Sequence, residues 1–184
     1  MKSNIYDAQN YSFSEADQIV IDANIWIYLF SPPSNPSGRW FTNNYSSVFK
    51  TLYTSGAKII LDQMILSEYL NRYSRIEYSA NYTAIYDSYK KFRQSPDFKL
   101  IASSAATFAK RIISVCSLHG TQAKMLNFIQ AVNEFESGTL DFNDAIIVNI
   151  CKLNSYKILT HDYDFYASSI GIITCNKKLL EKQK

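Results

Sequence analysis

The chain has 184 residues, of which 47% are hydrophobic, and this length and composition predict one globular domain and exclude an intrinsically disordered protein. The net charge of +3 is too small to imply a nucleic-acid or membrane partner by itself. No apolar run approaches the ~20 residues of a membrane helix, and residues 1–17 lack the apolar segment of a signal peptide, so we expect a cytoplasmic protein.

The N-terminal part of the chain predicts two strands and three helices. Residues 1–17 have no clear period, and we expect a loose lead-in there. The apolar run from Ile19 to Ile21 predicts a buried strand, and the apolar residues that continue to Phe30 predict a short helix. The elements that follow are a loop at 31–38, a helix at 42–55 that Gly56 ends, a strand at 58–61, and a helix from Asp62, its N-cap, to about Arg75.

The rest of the chain is predicted to be mostly helical before two late strands. The predicted helices are 80–94, 99–118, 121–136 and Asn143–Leu153, the strands are Lys157–Thr160 and Gly171–Cys175, and a charged tail that we expect to be solvated covers Lys177–Lys184. Strands that alternate with helices predict a three-layer α/β/α sandwich around a mainly parallel sheet of four or five strands. We expect one domain over residues 1–184, with additional helical material around 76–138.

Aromatic residues recur at helical spacing between residues 78 and 92. They are Tyr78, Tyr82, Tyr86, Tyr89 and Phe92. One helix would gather them into a stripe, and stripes of this kind are usually packing surfaces. Nucleic-acid bases can also stack on such rings, and an exposed stripe would be a dimer or partner face. The sequence leaves these alternatives open.

Asp22 directly follows the first predicted strand, and Asn24 lies two residues further on. A carboxylate at the carboxyl end of a buried strand lies where open α/β sheets usually bind ligands. Turns also favour Asp and Asn for local hydrogen-bonding reasons, so Asp22 alone does not establish a site.

Glu68 lies three residues after Ile65 and four after Met64, so a helix places its carboxylate beside the apolar face. A buried carboxylate costs several kcal/mol unless it is paired or binds a metal. The alternative is an ordinary ion pair with Arg72, four residues later, in the favourable order of acid before base.

Asp141 and Asp144 stand at the start of the late apolar helix. Their spacing is that of a helix-capping arrangement, and the helix dipole also favours acids in a first turn. One of the two carboxylates would nevertheless project from the helix start beside the sheet.

Asp162 and Asp164 follow a buried strand, as Asp22 does. An extended backbone would aim both side chains in the same direction, although turn or capping use would explain either residue singly. His161 lies between them and the strand; it could shuttle protons, but we expect it to face the solvent.

Five acids thus follow predicted strands or lie on predicted helices. They are Asp22, Glu68, Asp144, Asp162 and Asp164. Carboxylates that share one site cannot all stay ionised without a compensating cation. Oxygen-only ligands select Mg²⁺ or Mn²⁺, and such a site can activate a water molecule against a phosphodiester. Removing these five acids from the count leaves a charge of +8 on the rest of the surface, enough to attract a polyanion.

Four motifs in this order resemble the PIN-domain nucleases. They are Ile-Val-Ile-Asp22-Ala-Asn24, Ser67-Glu68-Tyr-Leu, Asn143-Asp144-Ala-Ile-Ile, and Ile-Leu-Thr160-His-Asp162-Tyr-Asp164-Phe. The resemblance is clear over residues 18–30, 57–71 and 139–175. It implies a Mg²⁺- or Mn²⁺-dependent ribonuclease that leaves a 3′ hydroxyl and a 5′ phosphate. Members include VapC-type toxins that a cognate antitoxin inhibits.

By position, the resemblance makes Asp22, Glu68, Asp144 and Asp162 the acid quartet and Asp164 a supplement to it. Asn24 and Thr160 match polar residues that orient ligands or water, whereas Asp141 fits the pattern less well. The additional material near 76–138 departs from the compact toxins of the family. A catalytically inactive PIN-like module that binds RNA or protein is the alternative function, and a homodimer stays open.

Overall fold

A single parallel sheet organises the computed structural model, which describes residues 3–120 and 125–182. Six strands are found in this part of the chain: Asn4–Asp7 (β1), Gln18–Ile21 (β2), Lys58–Leu61 (β3), Ser117–Leu118 (β4), Lys157–Leu159 (β5) and Gly171–Thr174 (β6). They lie in the order β1-β6-β5-β2-β3-β4, and every neighbouring pair is parallel. Their carboxyl ends therefore meet at one edge of the sheet.

Helices connect the strands, as the alternating pattern predicted. The α-helices of the described residues are Ala23–Leu29 (α1), Arg39–Thr54 (α2), Gln63–Glu77 (α3), Tyr89–Arg93 (α4), Pro96–Val115 (α5), Phe128–Glu136 (α6), Phe142–Asn154 (α7) and Lys177–Glu181 (α8). The predicted three-layer α/β/α fold with a mainly parallel sheet is confirmed. None of these helices combines the length and apolar character needed to cross a membrane.

The central strands and two helices form the core. Ile19, Val20 and Ile21 of β2 are buried, because a parallel strand covered on both faces needs apolar side chains in both directions. The helix α1 buries its first five residues, and α7 buries seven consecutive residues from Ala145 to Cys151. These two helices begin directly after Asp22 and Asp141, so the acids of the candidate site are attached to rigid elements.

The sequence suggested that the N-terminal segment is a loose lead-in, and this prediction is wrong. Residues Asn4–Asp7 form the edge strand β1, which pairs in parallel with β6. Further along this segment, the buried Asp17 carboxylate accepts hydrogen bonds from Tyr11 Oη at 2.9 Å and Lys157 Nζ at 2.7 Å. The sequence carries no signal here because this edge strand buries only Ile5 and lacks the apolar run of the central strands.

The predicted helix at 80–94 is also wrong. A π-helical turn at Tyr78–Tyr82 extends α3, non-helical backbone follows, and α4 then begins with Ser88 as its N-cap. The aromatic residues of this region pack around the fully buried Phe92 instead of forming a stripe, with ring centroids 4.6 to 6.1 Å from the Phe92 ring for the four tyrosines. The packing interpretation of these rings is therefore confirmed.

Other boundaries shift for local reasons. Helix α5 begins at Pro96, earlier than predicted, because Ser95 caps it, and it ends at Val115 before the short strand β4. The predicted helix at 121–136 begins at Phe128 with Asn127 as its cap, while residues 121–124 lie outside the described residues. The tail is not fully solvated, because Leu179 of α8 is buried.

Candidate functional site

The candidate site lies at the carboxyl edge of the sheet, where β2 and β5 are neighbours. From this pair the chain adds β3 and β4 on one side and β6 and β1 on the other. Ligands of open α/β sheets bind at such a topological switch point. Asp22 follows β2 and Thr160 follows β5, so both residues stand at this point.

Asp22 is 8% exposed and precedes α1, but its carboxylate does not cap the helix. Instead, Oδ2 accepts hydrogen bonds from Thr160 Oγ1 and Asn24 Nδ2, both at 2.6 Å. Among the described residues, no group donates to the other oxygen, Oδ1. One oxygen of Asp22 is therefore fixed by the protein and the other is left for a ligand.

A small hydrogen-bond network holds Thr160 in place. Thr160 is fully buried, and its Oγ1 accepts from the Asp162 backbone N–H at 2.9 Å and from Asn24 Nδ2 at 3.3 Å. The His161 backbone N–H donates to Asn24 Oδ1 at 3.5 Å. The predicted orienting residues Asn24 and Thr160 thus lie against Asp22 and connect the ends of β2 and β5.

Asp141 and Asp144 have different environments. Asp141 is exposed and caps α7, because its Oδ1 accepts from the Asp144 backbone N–H at 2.9 Å. Asp144 is half-buried; burial raises its pKa to about 8, and the charges of Asp141, Asp22, Glu68 and Asp162 contribute to the shift. The capping explanation is confirmed for Asp141, whereas the Asp144 carboxylate lies among the other acids.

Glu68 forms the ion pair that the sequence offered as the alternative to a metal ligand. Its Oε1 forms an ion pair with Arg72 Nη1 at 3.1 Å, and its side chain is 31% exposed. Its negative charge also contributes to the raised pKa values of Asp22 and Asp144. Glu68 is therefore near these two carboxylates while it is paired on the surface of α3.

Asp162 and Asp164 do not alternate along an extended strand. Asp164 begins a 3₁₀ helix, Asp164–Ala167, is exposed, and donates its backbone N–H to Asp162 Oδ1 at 3.0 Å. The turn explains this difference, because a short Asp side chain readily accepts a hydrogen bond two residues on. Asp162 contributes to the raised pKa values of Asp22 and Asp144, and Asp164 is not among the largest contributors.

The electrostatics of the site favour a bound cation. Burial raises the pKa of Asp22 to about 6, the Thr160 hydrogen bond opposes this, and the charges of Glu68 and Asp162 reinforce it. Within the described residues, no three His, Cys, Asp or Glu side chains form a ready-made metal cluster. The donor set still fits Mg²⁺ or Mn²⁺, because such ions accept one or two carboxylates and keep several water molecules.

A groove of about 620 Å³ gives access from this edge of the sheet. It is lined by Gln63, Met64, Ser67, Glu68, Asn71 and Asn143. The groove lies between α3 and the start of α7, so its walls include Glu68 and the residue before Asp144. Of the candidate acids, Glu68 is the one that lines this groove.

His161 belongs to an aromatic cluster that the sequence interpretation missed. Its Nδ1 lies 2.7 Å from Tyr45 Oη, and the rings of Phe41, Tyr28 and Trp40 surround it with centroids at 4.9, 6.3 and 6.0 Å. Burial lowers the pKa of His161, although Asp162 opposes this shift. The expectation of a solvent-facing histidine is wrong because α1 and α2 supply these rings from distant parts of the chain.

Comparison with known proteins agrees with this fold. The sequence matches the family model for the PIN domain over residues 19–169. A chain in the structure of VapBC2 from Rickettsia felis, bound to a DNA fragment from their promoter, is 14% identical, with 85% of this chain and 98% of that chain covered at a TM-score of 0.55. PAE2754 from Pyrobaculum aerophilum is also 14% identical, with 90% and 95% covered and a TM-score of 0.50. No functionally curated protein matches the sequence significantly.

Proposed function

This chain belongs to the PIN-domain family, and from this premise we propose that it is a Mg²⁺- or Mn²⁺-dependent ribonuclease that hydrolyses RNA phosphodiester bonds. PIN domains are generally nucleases, and they typically use divalent metal ions. The finer assignment to RNA rests on the resemblance of the four acidic motifs. The observation that carries the proposal is the position of Asp22 at the switch point of the sheet, where Thr160 and Asn24 bind one of its oxygens and the charges of Glu68 and Asp162 add to the effect of burial in raising its pKa.

The proposed roles follow from the environment of each side chain. Asp22, Glu68, Asp144 and Asp162 would hold the divalent ion directly or through its water molecules, with Oδ1 of Asp22 as a direct ligand. Asp164 would support the ion from the 3₁₀ helix, at the periphery of the site. Asn24 and Thr160 orient Asp22 through its other oxygen and keep that oxygen from rotating away.

The chemistry needs the acids and a cation together. When bound, a divalent ion would supply an activated water molecule and stabilise the charge that develops on the phosphodiester. Burial and the neighbouring negative charges raise the pKa of Asp144 to about 8, and a bound cation would offset this shift. Metal loading and the ionisation of Asp144 are therefore coupled in this proposal.

The experiment that tests the proposal compares Asp22→Asn with the wild-type protein on labelled single-stranded RNA in Mn²⁺. The substitution removes a charge but almost no volume, and we expect cleavage to fall at least ~100-fold with folding retained. Asp87→Asn is the matched control, because Asp87 is exposed and forms an ion pair with Lys91 on the surface. Equal cleavage by wild type and Asp22→Asn would reject the assignment.

The alternative function is an inactive PIN-like module that binds RNA or protein. RNA binding by the wild type without Mn²⁺-stimulated cleavage on any of several RNA and DNA oligonucleotides would favour this alternative. All the acids of the motif are present in the sequence, which supports the enzyme over the inactive module.

We extend the proposal to a toxin with a cognate antitoxin as its protein partner, on the strength of the resemblance to VapC-type toxins. Induced expression of the wild type should then arrest bacterial growth, and Asp22→Asn should not. If the wild type cleaves RNA in vitro but its expression does not slow growth, the ribonuclease assignment stands and the toxin assignment is rejected.

A further inference from the structure

A second groove, of about 550 Å³, lies next to the first on the surface of α3. Its lining residues are Asn71, Arg75, Tyr89, Lys90, Arg93 and Gln94. Three of the six are cationic and none is acidic. In a chain whose net charge is only +3, this groove is a local concentration of positive charge.

The cations of this basic groove are not neutralised by neighbouring carboxylates. In the part of the chain that the structure describes, the salt bridges use Arg72, Lys91 and Lys157, and none involves Arg75, Lys90 or Arg93. Arg75 lies over the Tyr89 ring, with its guanidinium carbon 4.5 Å from the ring centroid. A guanidinium that stacks on a ring keeps its N–H edges free for bidentate contact with a phosphate.

Tyr89 is held in position before any ligand binds. Its hydroxyl lies 2.5 Å from Ser74 Oγ, and its ring contacts Tyr78 at 5.5 Å between centroids. The ring is half-buried, and it positions Arg75 at the groove surface. Because both groups are ordered by the protein, a ligand would lose little free energy in ordering them.

The basic groove is continuous with the groove beside the acids. Asn71 lines both of them, and Glu68, Asn71 and Arg75 are spaced three and four residues apart on one face of α3. Seven residues of helix separate Glu68 from Arg75 by about 10 Å along the axis. A ligand that lies in the first groove beside Glu68 can therefore extend into the basic groove.

We propose that the basic groove binds the sugar–phosphate backbone of the same single-stranded RNA, a few nucleotides from the bond that is cleaved. This inference rests on the proposed ribonuclease function. Arg75, Lys90 and Arg93 contact phosphates, and Asn71 and Gln94 offer amides to sugar or phosphate oxygens. A polyanion matches the groove better than an apolar peptide because its lining is cationic and polar.

The test measures binding without cleavage. Fluorescence anisotropy of a labelled oligouridylate of about 16 nucleotides, in EDTA and over a range of salt concentrations, is compared between wild type and Lys90→Gln/Arg93→Gln. We expect the affinity to fall about tenfold and the salt slope to decrease by about 1.4, because each phosphate contact to a single strand contributes ~0.7. The conservative variant Lys90→Arg/Arg93→Lys should keep both values.

The matched control removes two positive charges at the opposite edge of the sheet. Lys58 starts β3, Lys152 lies in the last turn of α7, and both are exposed, so Lys58→Gln/Lys152→Gln should keep the wild-type affinity and slope. Equal losses in the control and groove variants, or no loss in the groove variant, would overturn the inference. RNA cleavage by the wild type would then leave the ribonuclease proposal standing.

Two further outcomes separate the causes of failure. If the wild-type protein neither binds nor cleaves RNA, both the ribonuclease proposal and the groove proposal are rejected. Polyglutamate could instead bind the wild type as tightly as RNA does and bind the groove variant more weakly. That result would identify a docking surface for an acidic protein and overturn the RNA assignment.

Discussion

At the scale of single residues, the environment of Asp22 separates its two carboxylate oxygens. Thr160 and Asn24 donate to Oδ2 at 2.6 Å, so the residue is oriented before a cation arrives. Such a carboxylate is more useful as a ligand than a freely rotating one, because its ordering cost has already been met by folding. The Thr160 hydroxyl also lowers the pKa of Asp22 against the larger effect of burial.

The substitution Thr160→Val tests this role of the hydroxyl. It keeps the shape of the side chain but removes a donor to Asp22, so the pKa of Asp22 should rise further and a larger fraction should be protonated at neutral pH. We expect the acid limb of the pH–rate profile for RNA cleavage to move to higher pH. Thr160→Ser should restore it, and an unchanged acid limb in Thr160→Val would show that the hydroxyl does not act through Asp22.

The raised pKa of Asp144 predicts how the metal-free protein responds to pH. Its pKa is about 8 in the folded protein and about 3.9 in an unfolded chain. Folding favours the protonated form of Asp144. Its contribution to the free energy of unfolding is therefore complete below pH ~4 and is lost as pH rises towards 8. In EDTA, Asp144→Asn should match the wild type near pH 4 and melt roughly 2–6 °C higher at pH 8.

Thermal melts of both proteins at the two pH values, with Asp87→Asn as the exposed control, measure this difference. Parallel pH dependence in wild type and Asp144→Asn would mean that the folded protein does not raise the pKa of Asp144.

At this scale, the sequence predicted the acids but not all of their surroundings. Asp22 and Thr160 could be found because they follow buried strands, and the capping role of Asp141 followed from its spacing to Asp144. The burial of His161 could not be found, because its ring contacts come from Phe41 and Tyr45, more than a hundred residues earlier.

At the scale of secondary-structure elements, the N-terminal segment ties two parts of the sheet together. Asp17 precedes β2, and its buried carboxylate pairs with Lys157 at the start of β5. Burial alone would raise the pKa of Asp17, but the hydrogen bonds from Lys157, Tyr11 and Ser14 outweigh it and lower the pKa. The ion pair thus joins the two strands whose carboxyl ends carry the candidate site.

The substitution Lys157→Met should destabilise the fold because it leaves the Asp17 carboxylate buried without its cation. We expect a loss of roughly 1–3 kcal/mol in the free energy of unfolding at pH 7. The pKa of Asp17 is lowered in the folded protein, so its carboxylate stabilises the fold above pH ~4 and this stabilisation is lost as pH falls. The stability difference between Lys157→Met and the wild type should therefore shrink in acid. Urea denaturation at both pH values measures this.

Lys152→Met is the control for that experiment, because Lys152 is exposed and lies in the last turn of α7. A deficit that stays constant with pH, or one that the control shares, would mean that the Asp17–Lys157 pair does not stabilise the sheet.

The elements with a strong apolar pattern were predictable, and those without one or with an interruption were not. The strands β2, β3 and β6 and the helices α3 and α7 have strong apolar patterns, and their positions were predicted within a few residues. The break before α4 was missed because tertiary packing of tyrosines around Phe92 overrides a locally plausible helical period. The edge strand β1 buries only Ile5 and β4 has two residues, so neither shows the apolar run that marks β2, β3 and β6.

At the scale of the whole molecule, the parallel sheet brings residues that are distant in the sequence to one edge. Asp22 and Asp162 follow strands that are neighbours, while Glu68 and Asp144 lie on helices that begin at the same edge. The basic groove continues from this edge along α3, so negative and positive regions adjoin on one side of the protein. The sequence predicted the acids at this edge, but the basic groove required the folded arrangement of α3 and α4.

The most direct measurement is anomalous diffraction from a crystal of the wild-type protein soaked in Mn²⁺. We expect a manganese peak at the switch point, with Oδ1 of Asp22 and a carboxylate oxygen of Asp144 about 2.2 Å from the ion or joined to it through one water molecule. A well-occupied manganese ion elsewhere, with none between Asp22 and Asp144, would contradict it.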